Sequence, residues 1–366
     1  MLQHTSRSST GQARPTPPFI VPRHYAVRDI IGKGSYGTVC RATHVPTSTD
    51  VAIKKTVPSG RLKCLRTLRE IKLLRHFKHE NIVSIFDAFE AIGQDNSSDV
   101  YVVLEFLAVD LDTVIRKQEL SDLHCQSFTY QLLRGLKAVH SAGIIHRDIK
   151  PANLLVSMDC NLKICDFGLA RYDLSTQKCS GFMTEYVATR WYRAPEVMLS
   201  FSQYTNSIDI WSAGCTLAEM LCGKPLFPGR DYHHQLNLNF EVLGSPTPDD
   251  LQTVTSRRAR IYIRSLPVVA PTPWRTLFPR ANGAALDLLS RMVVFNPRRR
   301  PTADGALAHP YMGNYHDPYD EPVSVALTED FFSFDKPDKS PPTLEDLRRK
   351  VSSSQPMSTK TDSLQI

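Results

Sequence analysis

Gly32, Gly34 and Gly37 form a Gly-x-Gly-x-x-Gly cluster, Gly32-Lys33-Gly34-Ser35-Tyr36-Gly37, and the residues after it constrain the fold most. A dinucleotide-binding fold needs a helix directly after such glycines. Here Thr38-Val39-Cys40-Arg41-Ala42 continues as a strand. The cluster therefore predicts a strand–loop–strand flap able to lie over nucleotide phosphates, and it disfavours a hydride-transferring fold. Glycines also serve plain turns, so the chemistry has to be sought elsewhere in the chain.

The flanking segments carry the same signal. Tyr25–Ile31, Thr38–Ala42, Asp50–Lys55 and Val100–Glu105 are short and rich in β-branched or aromatic residues, punctuated by Gly32, Gly34, Pro46 and residues 93–98. One helical pattern interrupts them, with Leu65, Leu68, Ile71, Lys72 and Leu74 near helical spacing. Beyond Leu107 the periodicity changes. Phe128, Leu132, Leu136 and Val139 mark a helix that stops at Gly143, and Ile208–Leu221 and Ala284–Met292 predict two more. The pattern predicts an α+β fold, with a small β-rich lobe joined near residues 105–110 to a larger helical lobe.

Composition narrows the function classes. A chain of 366 residues fits two lobes, and 42% hydrophobic content is enough for a packed core, which excludes wholesale disorder. The longest mostly apolar stretch, Val100–Val109, is broken by Glu105 and too short to span a bilayer. No apolar segment follows the N-terminus, so membrane insertion and secretion are poor readings. The net charge of +7 permits nucleic-acid binding without arguing for it. Its tightest basic runs, Arg257-Arg258-Ala259-Arg260 and Arg298-Arg299-Arg300, lack interleaved aromatics and read as solvated faces. The 8 cysteines contain no Cys-x-x-Cys pair, as expected of reduced thiols in a cytosolic or nuclear protein. Residues 1–22 are rich in Ser, Thr, Arg and Pro but lack the apolar helical face of a transit peptide, so they predict a disordered tail. Residues 351–366 predict another.

Val51-Ala52-Ile53-Lys54 places a lysine in an apolar strand, which is costly unless the charge is paired. Glu70 on the following helix is an available partner; a strand-end lysine reaching out to water is the alternative. Further on come His146-Arg147-Asp148-Ile149-Lys150-Pro151-Ala152-Asn153, then Asp166-Phe167-Gly168, then Ala194-Pro195-Glu196. With the glycine loop and Lys54 ahead of them, in this order, these motifs compose the protein-kinase signature set. The chain from about Tyr25 to Met312 resembles a eukaryotic protein kinase.

The resemblance implies a bilobal kinase domain over residues 23–312, with a small antiparallel lobe at about 23–105 and a mainly helical lobe at about 108–312. It implies that ATP is lined by Ile31, Gly32, Lys33, Gly34, Ser35, Tyr36, Gly37, Val39, Ala52, Leu104 and Asp110, with the backbone of Glu105 and Leu107 meeting adenine. For Leu104 itself, core packing is an equal description. Lys54, held by Glu70, would grip the α- and β-phosphates, and Asp166 and Asn153 would coordinate magnesium. Asp148 would orient the substrate hydroxyl and accept its proton, and Lys150 would neutralise the transferring phosphate.

Between Asp166 and Glu196 lies Met183-Thr184-Glu185-Tyr186-Val187-Ala188-Thr189-Arg190-Trp191-Tyr192-Arg193. Placed there, Thr184 and Tyr186 resemble the dual phosphorylation site of a mitogen-activated protein kinase of the extracellular-signal-regulated type. By position, Arg66, Arg69, Arg147 and Arg171 match arginines that order phospho-Thr184, and Arg190 and Arg193 match those near phospho-Tyr186. The Val187–Arg193 stretch resembles the pocket that selects Ser-Pro and Thr-Pro, because proline has no amide hydrogen to leave unpaired. The Arg/Pro-rich stretch from Gly244 to Leu277 sits where this class carries an insert. Asp317, Asp320 and Glu321 resemble an acidic docking patch for basic peptides of activators, phosphatases and substrates. Phe331-Phe332-Ser333-Phe334 resembles an extension that packs back on the small lobe, completing a segment 313–350.

Phrases such as Gly223-Lys224-Pro225-Leu226-Phe227 most resemble the fungal cell-wall-integrity branch, although Asn237-Leu238-Asn239-Phe240 departs from the usual pattern. The expected protein is a monomeric, ATP- and magnesium-dependent Ser/Thr kinase, switched on by an upstream dual-specificity kinase and working in cytoplasm and nucleus. The competing readings are a docking scaffold that keeps the fold without catalysis, and a cyclin-dependent relative. Direct nucleic-acid binding and membrane attachment are not expected.

Overall fold

The computed structural model describes residues 19–34, 37–57, 61–92, 98–173, 190–199 and 205–335. In the small lobe, β1 (Tyr25–Gly34), β2 (Gly37–His44), β3 (Thr49–Thr56), α1 (Arg61–His76), β4 (Ile85–Ile92) and β5 (Ser98–Glu105) follow in sequence. The strands form one antiparallel sheet in the order β1-β2-β3-β5-β4. Gly37 sits at φ 146°, and a Cβ there would run into the Lys55 carbonyl, so the flap can turn onto β3 only with glycine.

Strand alternation sorts this sheet into two faces. Val51, Ile53, Tyr101 and Val103 pack outward with Tyr25 and Cys40, and the aromatics Phe19, Phe86 and Phe89 cover them. Ala52, Val102 and Leu104 face the other way, into the core shared with Leu68, Ile71 and Leu74 of α1. Lys54 is two residues beyond Ala52 and pairs across the ladder with Val102, so the same alternation delivers it to the α1 side.

Two differences from the sequence expectations arise here. β4 is absent from the segments that β-branched content picks out, because Asp87, Ala88, Glu90 and Ala91 are weak strand formers; its pairing with β5 makes it a strand. Residues 19–22 do not belong to a free tail. Phe19 meets Tyr101 edge-on, and the Ile20 amide donates to the Tyr101 hydroxyl at 3.2 Å. The rest of the expected N-terminal tail and all of 336–366 lie outside the described residues.

The large lobe opens with β6 (Val109–Asp110) and α2 (Leu111–Lys117) and is built on α3 (Asp122–Ser141). Ser121 caps α3 by accepting the His124 amide at 3.3 Å. Cys125, Phe128, Leu132, Leu136 and Val139 recur at helical spacing and are all buried. The helix stops where Gly143 takes φ 74°, as its glycine predicts. Then come β7 (Ile144–Ile145), β8 (Leu154–Val156), β9 (Leu162–Ile164), β10 (Arg171–Tyr172), α4 (Pro195–Leu199), α5 (Ser207–Cys222) and α6 (Tyr232–Leu243). β6-β8-β9 and β10-β7 form two small sheets at the cleft.

The expected insert is three short helices, α7 (Pro248–Gln252), α8 (Arg257–Ser265) and α9 (Trp274–Leu277). Ile263 of α8 is buried in a separate core with Met198, Leu199 and Phe240, while Arg257 and Arg258 are exposed, as expected of a solvated face. After it, α10 (Gly283–Met292) and α11 (Ala303–Leu307) close the lobe. The second basic run corrects its reading. Arg298 and Arg299 are exposed, but the Arg300 side chain is fully buried and grips Glu196 at 2.6 and 2.8 Å. Arg300 also lies 4.9 Å from the Trp211 ring centroid, so one residue of an apparent surface run is a core ion pair.

Candidate active site

The cleft between the lobes brings most of the expected residues together. Lys54 reaches Glu70 of α1 through both carboxylate oxygens, at 2.7 and 2.8 Å, and does not extend to water. Burial works against its charge, but the nearby carboxylates of Glu70 and Asp166 overcome it and hold the lysine firmly protonated. Ala52, Leu104 and Leu107 are buried around the junction of the lobes, supplying apolar walls, and Ile31 on the flap is half exposed. Glu105 gives its amide to the Ser84 carbonyl at 2.9 Å. Asp110 accepts the Thr113 amide at 2.7 Å and so caps α2 at the cleft edge. Ser35 and Tyr36 lie outside the described residues.

Asp148, Lys150 and Asn153 occupy the loop between β7 and β8. One oxygen of Asp148, Oδ2, accepts from Lys150 Nζ at 2.7 Å and from Asn153 Nδ2 at 2.8 Å. Oδ1 takes no donor among the described residues. Asn153 Nδ2 also donates to the Asp148 carbonyl at 2.8 Å, which turns the amide oxygen away from Asp148. Asp166 has a left-handed backbone, φ 60° and ψ 70°, and accepts the Gly168 amide at 3.3 Å. Burial pushes its carboxyl up, but the charges of Lys54 and His146, the Gly168 amide and Lys150 outweigh that and hold it below the ordinary carboxylate range. A low carboxylate and an amide oxygen are hard donors, and two protein oxygens with substrate phosphates suit magnesium, which keeps much of its shell for water and phosphate. Asp166 and Asn153 therefore fit that ion.

Three residues that support this site were not among the sequence candidates. Asp209, in the first turn of α5, accepts the His146 amide at 2.8 Å on Oδ2 and the Arg147 amide at 2.8 Å on Oδ1. His140 Nε2 donates to the same Oδ2 at 3.0 Å. Burial would raise Asp209, but the His140 hydrogen bond and charge, with His146 and the Arg147 amide, keep it low. An acid between Ile208 and Ile210 raises the same question as Lys54, so a signal was there. The third is Asp335, which directly follows the Phe331–Phe334 motif of the extension.

The arginines expected to order phosphates split into groups. Arg190 and Arg193 converge on Tyr232: the Arg190 guanidinium is 5.6 Å from its ring, and Arg193 Nη1 donates to its hydroxyl at 3.0 Å. Arg66 lines the cleft pocket with Lys54, Glu70, Asp148, Asp166 and Gly168. Arg147 Nη1 donates to the Leu169 carbonyl at 3.3 Å, and Arg171 Nη1 to the Ala170 carbonyl at 2.8 Å. The Arg69 side chain is only 1% exposed and is clasped by Asp335. Thr184 and Tyr186, with Val187, Ala188 and Thr189, lie outside the described residues.

The acidic patch also needs one correction. Asp317 and Asp320 are exposed, and Asp320 Oδ1 meets Arg134 at 3.2 Å. Glu321 is buried, and its carboxylate is consumed by Lys137 at 3.3 Å and His316 at 2.8 Å. It anchors the patch from beneath and presents nothing to a peptide. Phe332 and Phe334 of the extension are buried in the main core, as expected.

The chain matches the protein kinase domain over residues 25–312. It is 57% identical over 319 residues to the mitogen-activated protein kinase mpkB of Aspergillus fumigatus, covering 87% of this chain and 90% of that protein. It is 56% identical over 319 residues to the mitogen-activated protein kinase PMK1 of Pyricularia oryzae, again covering 87% and 90%. With the extracellular signal-regulated kinase 1 of Candida albicans strain WO-1 it shares 53% identity over 347 residues, covering 90% of this chain and 83% of that protein. These names specify the class and carry no pathway branch. A small antiparallel lobe over a helical one, a paired Lys54 and Glu70, and these relatives give one conclusion: the chain is a serine/threonine protein kinase and belongs to the mitogen-activated protein kinases.

Proposed function

We propose that this kinase is magnesium-dependent and proline-directed, and that it is switched on when an upstream dual-specificity kinase phosphorylates Thr184 and Tyr186. The observation that carries the catalytic part is the double clamp on Asp148 Oδ2 by Lys150 and Asn153. It aims Oδ1, which takes no donor among the described residues, at an incoming Ser or Thr hydroxyl, whose proton it accepts as the oxygen attacks the γ-phosphorus of ATP and ADP leaves with the bridging oxygen. Lys150, beside the same carboxylate, neutralises the charge passing to the transferred group, and Lys54 holds the α- and β-phosphates. Magnesium, when bound by Asp166 and Asn153, neutralises charge on the phosphates.

Substrates carry Ser-Pro or Thr-Pro, together with basic docking segments that Asp317 and Asp320 attract. Activators and phosphatases use the same patch. The enzyme works as a monomer in cytoplasm and nucleus, a placement supported by the seven described cysteines, none of which is in a disulfide. The test uses protein carrying both phosphates, verified by mass spectrometry, and compares radiolabel transfer to a Ser-Pro peptide and its Ser-Ala twin. Transfer to Ser-Pro alone, abolished in Asp148→Ala, is expected. Equal labelling of the twin would remove proline direction, and no transfer would remove the catalytic reading.

A further inference from the structure

The stretch from Leu251 to Leu286 holds six arginines and no aspartate or glutamate, in a chain whose whole net charge is +7. Four of them, Arg257, Arg258, Arg260 and Arg264, lie on α8. The inner face of this helix is already occupied. Ile263 is buried in the second core, and Ala259, Tyr262 and Leu266 pack against it. Arg260 turns back to donate to the Val254 carbonyl at 3.1 Å. The Tyr262 hydroxyl meets His233 Nδ1 of α6 at 2.8 Å.

The outer face differs. Ile261 is 57% exposed, and Arg257, Arg258 and Arg264 are exposed around it. They stand four and three residues before it and three after, which puts all of them on one helical stripe. Val268, just beyond the helix, is 91% exposed. Arg116 and Arg291, exposed elsewhere on the large lobe, lie against Asp112 and Asp287, both at 3.0 Å. Among the described residues Arg257, Arg258 and Arg264 meet no acid. The acids of neighbouring α7 are already taken. Asp249 pairs with Arg299 at 2.6 Å. Asp250 accepts the Thr247 amide and hydroxyl at 3.0 and 2.8 Å and lies 3.6 Å from Arg299.

We propose that the outer face of α8 is a docking surface for an acidic segment of a partner protein, with carboxylates on Arg257, Arg258 and Arg264 and one apolar side chain seated on Ile261. An apolar centre with a charged rim is the usual anatomy of a protein interface, and the arginine fork takes a carboxylate through two parallel hydrogen bonds. These arginines have no ion pair to break when such a segment arrives. A nucleic acid fits less well. Its phosphates would lie against the exposed Ile261, and Tyr262, the aromatic of this helix, is engaged with His233 and not free to stack on a base. The surface shares no residue with the Asp148 cleft or with the Asp317 and Asp320 patch. Its charge is opposite to that patch, so it selects a different class of segment.

The test selects a phage-displayed library of random dodecapeptides on the full-length, unphosphorylated protein and measures the winners as fluorescein-labelled synthetic peptides by anisotropy. Winners are expected to carry several Asp or Glu around one aliphatic or aromatic residue. Arg257→Gln/Arg264→Gln should weaken them about tenfold or more, and Ile261→Ser about fivefold, with the thermal midpoint unchanged in both. A twin of each winner with its acids changed to amides should lose binding to wild type. That arm needs no protein variant, so it decides the charge claim even where a substitution disturbs α8. A library that yields no acidic winner, or winners that bind the variants as tightly as wild type, would overturn the proposal. So would a short DNA duplex or a phosphatidylserine vesicle that binds more tightly than the winners and ignores Ile261→Ser, because the arginines would then serve phosphates. The readout is binding by unphosphorylated protein, so its failure leaves the kinase reading standing, and loss of the kinase reading leaves this test intact.

Discussion

Arg147 holds a left-handed backbone at φ 71°, and its amide donates 2.8 Å to Oδ1 of Asp209. A non-glycine residue in that region costs about 1–3 kcal/mol and persists only where the surroundings hold it. Asp209 is what holds it, from the rigid first turn of a buried helix. The turn so enforced carries the chain from His146 into Asp148. Asp148, the proposed base, is therefore aimed by a carboxylate 61 residues away in sequence.

Removing this support should cost rate before it costs binding. Asp209→Ala leaves the His146 and Arg147 amides without an acceptor and lets the loop relax. We expect kcat to fall about a hundredfold, the scale of a 1 Å misplacement of a catalytic group, with peptide KM little changed. Steady-state kinetics of the doubly phosphorylated variant would show it, and an unaltered kcat would exclude a role for Asp209 in aiming Asp148.

The same carboxylate fixes an acid limit. Its folded value is depressed, with burial overcome by His140, His146 and the Arg147 amide. A depressed acid contributes stability that is present above its unfolded value, about 3.9, and is lost as pH falls through its folded value. Thermal unfolding of wild type and Asp209→Asn should therefore differ by a constant amount at neutral pH and converge below about pH 4. A difference that persisted unchanged into strong acid would contradict the assignment.

Glu70 and Lys54 test a buried pair. Their side chains are 6% and 13% exposed, so Glu70→Ala strands an ammonium in the core. Breaking such a pair costs about 3–5 kcal/mol, against a smaller loss for Lys54→Met, because Glu70, whose carboxyl burial already pushes up, can shed its charge by taking a proton. Both variants should lose activity, but urea midpoints should rank Glu70→Ala as the less stable. The reverse ranking would mean that Lys54 finds water or another acid when Glu70 is gone.

Much of this site was legible because kinase chemistry concentrates its residues in short runs. Lys54 declared itself as a charge in an apolar strand, and strand alternation placed it on the α1 side. Arg300 shows the opposite case. Three consecutive arginines look alike in composition, yet the chain turns so that Arg298 and Arg299 face solvent while Arg300 enters the core to meet Glu196, 104 residues earlier. Glu321 was misread for the same reason, since its neighbours Asp317 and Asp320 share its charge but not its burial. Asp335 and Asp209 act through partners 266 and about 60 residues distant. The isoleucines either side of Asp209 mark a buried acid, but no local pattern names a partner that far away.

The docking patch offers the sharpest separation of surface acids from buried ones. Asp317 and Asp320 are exposed, so Asp317→Asn and Asp320→Asn should fold like wild type and weaken a basic docking peptide by several-fold each. That loss should shrink as salt rises, because exposed charges are screened beyond about 8 Å at physiological ionic strength. Glu321→Gln should behave differently. It leaves Lys137 and His316 facing a neutral amide under the patch, so it should lower the thermal midpoint. Any effect on the peptide would then arise from a loosened patch and would vary little with salt. Fluorescence anisotropy of one labelled basic peptide at two ionic strengths, beside thermal unfolding of the three variants, distinguishes these behaviours. If Glu321→Gln matched the two surface variants in salt dependence and kept its midpoint, the buried carboxylate would have to reach the peptide after all, and the division drawn here between anchor and docking surface would fail.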